Sequence, residues 1–215
     1  MTELKEAGRR FVWNRVTGGW GYTRGVHLDP AWESRDEEAR RSGLVRGVYG
    51  FPVNPDYADM DDQLDVFLNT VGDFDNRMIM VDYEKYGPHP AATCTVPALK
   101  AYIRGIRQAV PNRHIVLYSN YNFWNEEPYT GKAEDFGPNI VMMHAWYWRD
   151  EPYQHPLAHY HKAMGWNDTK FWHSLGGRVP EFTQFCTGYT GDEVIDQDAY
   201  RLEMEDLMRL TRKIA

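Results

Sequence analysis

The order in which apolar runs and amphipathic segments alternate constrains this chain more than any other feature. Strand-like runs at 10–17, 44–51, 77–84 and 114–120 are separated by helical periodicities at 29–43, 56–72 and 95–110. A strand, a covering helix and a further strand, repeated with short loops, predict a parallel sheet, because each parallel neighbour needs a crossover long enough to hold a helix. The helix ends carry their own signals. Asp29 is placed to cap the first helix, Pro30 to begin it and Gly43 to stop it. The acidic run Asp56, Asp59, Asp61 and Asp62 reads as the negative first turn of the second helix, which ends near Gly72. As a calcium loop it fails, since the required Gly and final Glu are not in their places. Thr95 caps the third helix, where Leu99, Tyr102, Ile103 and Ile106 recur at helical spacing.

After Asn120 the pattern loosens. Segments 139–148, 169–175 and 180–186 read as further strands, and 198–214 as a closing helix. This order predicts an α/β fold of the irregular (β/α) barrel type. An open doubly wound sheet fits less well, because its Gly-rich phosphate fingerprint is missing and "GGWG" at 18–21 is too short for one.

At 215 residues the chain is read as one domain spanning 1–215. A net charge of -7, with the basic residues scattered, argues against a nucleic-acid partner. No run is long and apolar enough to cross a membrane, so no membrane insertion is expected. The opening "MTELKEAGRR" has no apolar core of a signal peptide, so the chain is expected to be made in the cytoplasm. The two cysteines, Cys94 and Cys186, give neither a disulfide framework nor a zinc pattern and are read as free, buried thiols. His155, His159 and His161 lie close together, but no carboxylate sits at a ligand spacing, so an exposed loop is expected and no metal. Ser119 and Ser174 lack a nucleophile-elbow context. No cofactor is implied. Nothing in the sequence speaks to an oligomeric state.

The chemistry concentrates in "RMIMVDYEKYG", 77–87, where an apolar run ends in two carboxylates. Alternation along a strand puts Met78, Met80, Asp82 and Glu84 on one face and Ile79, Val81 and Tyr83 on the other. The Ile/Val face suits helix packing. Asp82 and Glu84 would then project inward at the C-terminal mouth, where barrel enzymes carry their catalytic groups. A solvated pair closing the strand is the plain alternative. Tyr49 and Phe51, Tyr118 and Asn120, and Ala145 and Tyr147 end the neighbouring strands on one face each. Aromatic residues make up 14% of the chain, and rings around two acids suit a sugar chain, whose pyranose faces stack and whose glycosidic oxygen needs a proton. Magnesium would normally want more oxygens and often a phosphate, for which no binding loop is visible.

The order of motifs resembles glycoside hydrolase family 25, the Chalaropsis-type lysozymes. "RFVWNRVTGGWGY" is similar to that family's second strand and following turn. "SGLVRGVYGF" resembles its Gly-x-Tyr-His-Phe strand, with Gly50 in the His place. "MVDYE" matches the Asp-x-Glu strand end, and "VLYSN" a later strand carrying a Tyr. "MMHAWY" resembles the Trp-Ile-Ala-x-Tyr strand. "FTQFCTG" is similar to the Trp-Gln-Tyr-Thr strand, and "VIDQDAYRLEMEDL" to the closing Val-Asp-x-Asn-x-Phe segment and helix. The resemblance implies a (β/α)5(β)3 barrel and cleavage of the β-1,4 bond between N-acetylmuramic acid and N-acetylglucosamine in peptidoglycan. It implies Glu84 as general acid, Asp82 as the carboxylate supporting it, and Asp196 as a late acid lining the site. Tyr49, Phe51, Tyr118, Tyr147 and Gln184 take substrate-binding places. The family's first strand, ending in Asp-x-Ser, has no counterpart before "RFVWNRVT", and the Glu of its Thr-Glu-Gly turn is Gly18. A barrel lacking its first strand is therefore expected. A non-catalytic wall-binding relative and a glycosidase for another N-acetylated glycan, such as chitin, remain the alternatives. Without a signal peptide, an endolysin that reaches the wall through a holin or a lysis event is the natural biological reading.

Overall fold

A computed structural model describes residues 1–6, 9–18, 25–85, 89–120, 123, 133–145, 182–190, 193–200 and 204–214. Among these residues eight strands form one sheet in the order β2-β1-β3-β4-β5-β6-β7-β8. They are β1 (Phe11–Gly18), β2 (His27–Leu28), β3 (Val45–Gly50), β4 (Arg77–Asp82), β5 (Ile115–Asn120), β6 (Ile140–Ala145), β7 (Phe182–Thr190) and β8 (Glu193–Tyr200). From β1 through β3 to β7 every pairing is parallel, and for β1, β3, β4 and β5 the strand-helix repeat predicts it. The antiparallel pairs lie at the two ends, β1 with β2 and β7 with β8. Among the described residues β2 and β8 are the two edges of the sheet.

Alternation divides the strand residues between two cores. Val48, Ile79, Val81, Tyr83, Ile115, Leu117, Ile140 and Met142 join an outer cluster with residues of three helices. These are α2 (Trp32–Arg41), α3 (Met60–Val71) and α4 (Val96–Ala109). Val45, Met78, Met80, Val116, Tyr118, Val141 and Met143 form an inner cluster, against which Phe11, Trp13 and Tyr49 pack. The period-two pattern of β4 thus faces the way the sequence predicts. Gly47 shows how tightly the inner face is filled: a Cβ there would lie 2.1 Å from Cε3 of Trp13. The short last helix α5 (Met204–Arg209) contributes Leu207, and Leu210 follows it into the same cluster. Ile214 N–H donates to the Asn112 carbonyl, just before β5 (2.6 Å), so the tail lies at the N-terminal ends of the strands. At that end Asp36 of α2, nearly fully buried, takes Arg46 (2.8 Å) and Arg77 (2.7 Å) from the starts of β3 and β4. The short helix α1 (Thr2–Glu6) docks on the end of α2, where Lys5 Nζ donates to the Gly43 carbonyl (2.9 Å).

The helix signals hold except at the start of α2, where Pro30 precedes the flanking residue Ala31 and so stands outside the helix it was expected to begin. Asp59 caps α3 by accepting from Asp61 and Asp62 N–H, Gly72 ends it at φ 63°, and Thr95 caps α4 through Ala98 N–H. Asp29 does not cap α2, whose first flanking residue is Ala31. Instead its carboxylate accepts from Ala31 N–H (3.0 Å) and pairs with Arg15 (3.2 Å) and Arg35 (2.7 Å). Two cations compete better for this carboxylate than a helix N-terminus does. The expected closing helix at 198–214 is also corrected. Residues up to Tyr200 are the strand β8, paired with β7 from Thr190↔Glu193 to Phe182↔Tyr200, and the helix begins only at Met204. Cys94 is a buried free thiol whose pKa burial pushes up to about 12. Cys186 lies on β7, where only the backbone is described. The expected strand at 169–175, the His155–His161 loop and Ser174 fall outside the described residues. No helix among them is long and apolar enough to cross a membrane.

Candidate active site

β4 ends at Asp82, so the first carboxylate is the last residue of the strand and the second lies two residues beyond it. Asp82 keeps only 9% of its surface exposed, and Glu84 is half-buried. Asp82 pairs in register with Tyr118, and Tyr118 with Met143. One layer below lie Tyr49, Met80, Val116 and Val141, each paired to the next. The acids therefore stand above an apolar floor of methionine, valine and tyrosine side chains.

Tyr118 is buried, and Tyr49 and Phe51 are half-buried. Phe51 follows β3 directly. Its N–H donates to the Thr17 carbonyl (3.0 Å), and since Gly50 pairs with Val81, Phe51 stands at the level of Asp82. The structure thus brings Asp82, Tyr49, Phe51 and Tyr118 to one end of three adjacent strands, with Glu84 just above. Gln184 is the Cα partner of Ala145, itself the partner of Asn120, so its backbone continues the row above Tyr118. Asp196 pairs with Thr187, whereas Asp198 is the residue opposite Gln184. Tyr147 lies outside the described residues. No group of three or more His, Cys, Asp or Glu that could hold a metal ion occurs among the described residues.

Gly50, which stands where the resembling family has His, is explained by packing. A Cβ on it would meet the Tyr102 hydroxyl at 2.5 Å, Thr17 Oγ1 at 3.0 Å and Phe67 at 3.2 Å. The position looks into the helix layer, where Tyr102 and Thr17 share a hydrogen bond. A register shift of β1 between Arg15 and Thr17 brings Thr17 alongside Gly50. Bulges of this kind re-aim side chains at barrel rims.

The sequence did not reveal how the rim beside the acids is made rigid. Gln63 on α3 is almost fully buried. Its Oε1 accepts from Val53 N–H (2.8 Å), and its Nε2 donates to the carbonyls of Val53 (3.0 Å) and Ala58 (2.7 Å). The loop after β3 is thereby clamped to the helix that follows it. That loop is tied in turn to the loop after β4. Val53 bridges Thr93, Asn54 N–H donates to Ala92 (2.8 Å) and Asn54 Nδ2 to Ala91 (3.2 Å). Val53, Ala58 and Ala92 make a small core there, packed by Val26, Phe51 and Tyr57. The available signal was the buried stripe Gln63, Phe67, Val71 of α3, in which one polar side chain stands among apolar ones and must find partners.

Comparison with known proteins extends the picture. Residues 2–176 match the model of the glycosyl hydrolases family 25. The chain is similar in structure to a bacterial lysozyme from Streptomyces coelicolor (TM-score 0.69, 18% identity, covering 98% of this chain and 89% of that one). It is similar to a family GH25 lysozyme from Aspergillus fumigatus (TM-score 0.69, 22% identity, 98% and 91%). A third likeness is to the catalytic domain of an endolysin from bacteriophage P40 of Listeria monocytogenes (TM-score 0.59, 12% identity, 93% and 86%). No curated protein matches the chain by sequence.

Proposed function

The chain belongs to the glycosyl hydrolases family 25 and is a glycoside hydrolase, and from that premise we propose that it cleaves the β-1,4 bond from N-acetylmuramic acid to N-acetylglucosamine in bacterial peptidoglycan. The observation that carries this reading is the pair Asp82 and Glu84 at the C-terminal end of β4, on the face of the sheet whose floor is Met80, Tyr118 and Met143. Glu84, the more exposed of the two, meets the glycosidic oxygen and gives it a proton. Asp82, nearly buried and fixed by the strand, is the carboxylate that supports the charge forming at the sugar. General acid catalysis of this kind contributes about 10²–10⁴-fold. Asp196 is proposed as a further acid at the site. Tyr49, Phe51, Tyr118, Tyr147 and Gln184 are proposed to hold the sugar rings. Attack by the substrate's own N-acetyl group, positioned by a carboxylate, accounts for the reaction without an enzyme nucleophile.

The names of the structural neighbours support an endolysin, acting on the wall after lytic release. The whole chain, 1–215, is read as the catalytic domain. Digestion of purified cell walls followed by reducing-end analysis tests the reading. New reducing ends on N-acetylmuramic acid are expected. Reducing ends on N-acetylglucosamine only, or release from chitin but not from walls, would contradict it.

A further inference from the structure

We infer that Tyr83 is a positioning residue for Glu84: its buried ring pins the one residue between the two acids and so fixes the direction in which Glu84 leaves the strand. The inference rests on the reading of Glu84 as proton donor. Glu84 lies outside β4, which ends at Asp82. One further backbone bond, Tyr83 N–H to the Tyr118 carbonyl at 2.9 Å, carries the extended conformation a residue past the strand. The side chain completes the anchor. Tyr83 is 1% exposed and is one of the largest fully buried side chains described. It sits in the outer cluster, and its ring meets Phe123 edge-on, centroids 4.9 Å apart at 65°.

Phe123 follows β5, so the ring contact joins the segments that leave two neighbouring strands at the mouth. Edge-to-face pairs of this geometry are favoured over a face-to-face sandwich by the ring quadrupoles. Successive side chains of an extended chain point to opposite faces. A ring locked into the helix layer therefore turns Asp82 and Glu84 to the inner face. A smaller side chain at 83 would leave a cavity and free the 83–85 segment to rotate about its last backbone bond. Misplacement of a reacting group by an ångström can cost on the order of 10²-fold in rate.

The test compares wild type with Tyr83→Leu, Tyr83→Phe and Phe123→Leu on soluble peptidoglycan glycan fragments, with rates normalised to folded protein. Tyr83→Leu is expected to lower kcat by about 10- to 10²-fold with KM nearly unchanged, and to move the basic limb of the pH profile. Tyr83→Phe, which keeps the ring, is expected to stay near wild type, and Phe123→Leu to fall between them. A merely structural role would lower Tm in the leucine variants while their folded molecules kept the wild-type kcat and pH profile, and that result overturns the inference. Should Tyr83→Leu fail to fold, Phe123→Leu decides by the same criteria. A wild-type chain that opens no glycosidic bond in peptidoglycan overturns the proposed function and this inference together. An active wild type with indifferent variants overturns the inference alone.

Discussion

Single positions in this molecule are governed by what lies directly against them. Trp13 lies across Gly47 in the inner face, so closely that no other residue fits at 47 without moving the indole. Gly47→Ala is expected to lower stability by about 1–3 kcal/mol through overpacking, read as a lower midpoint in urea at unchanged m-value. Gly50 obeys the same logic on the other face, where the Tyr102 hydroxyl fills the space a side chain would need. The sequence could name Gly50 as a departure from the family motif but not supply its reason, because Tyr102 lies 52 positions away along the chain. The end of β4 at Asp82, by contrast, was legible in the sequence. The period-two alternation of "RMIMVDYE" is a local property, and from it both acids are expected on the inner face without knowledge of any neighbour.

Elements were legible where local signals and packing agree. α3 begins at the Asp59 cap within the acidic run that marks its first turn, and α4 begins at the Thr95 cap and buries the apolar stripe its spacing announces. Two readings failed where a distant partner outweighed a local preference. Asp29 went to Arg15 and Arg35 rather than to the helix end. The segment up to Tyr200 carries apolar residues that a helical period can thread, but pairing with β7 makes it a strand. The Gly191-Asp192 dipeptide between Thr190 and Glu193 was the overlooked hairpin signal. Gln63 is an element-scale device as well, joining α3 to the loop after β3. Gln63→Leu would strand the buried Val53 N–H. It is expected to cost about 1–3 kcal/mol, and hydrogen exchange should show the Val53 amide losing protection.

His114 lies just before β5, within reach of the charge of Arg209 on α5. Burial pulls its pKa below the ordinary value of 6.5, and the charges of Arg209 and Arg113 push it further down. The folded state therefore resists protonation that the unfolded chain accepts. As pH falls past 6.5 the unfolded state binds the proton first, and stability is lost toward the lowered folded value. Urea midpoints measured at about pH 7.5 and about pH 5.5 are expected to fall in wild type and to fall less in His114→Gln. Equal slopes in the two proteins would show that His114 does not contribute.

At the scale of the whole molecule, the described residues form a mostly parallel sheet with two different faces. Among the described residues α2, α3 and α4 cover the outer face, while the inner one is floored by methionine, valine and tyrosine side chains and met at its N-terminal end by Leu207 and Leu210. The C-terminal end of β4 is where the two acids are proposed to meet a substrate. The class of fold followed from the strand-helix order, since a parallel ladder demands those crossovers. The rim did not, because its bonds join residues as far apart as Val53 and Thr93. The central claim is that Glu84 donates the proton that opens the glycosidic bond. Glu84→Gln keeps the shape of the side chain and removes the acid. The rate of turbidity loss of purified cell walls is the direct measurement. The account predicts a fall of about 10²–10⁴-fold at an unchanged unfolding midpoint, and wall lysis by Glu84→Gln at near the wild-type rate would contradict it.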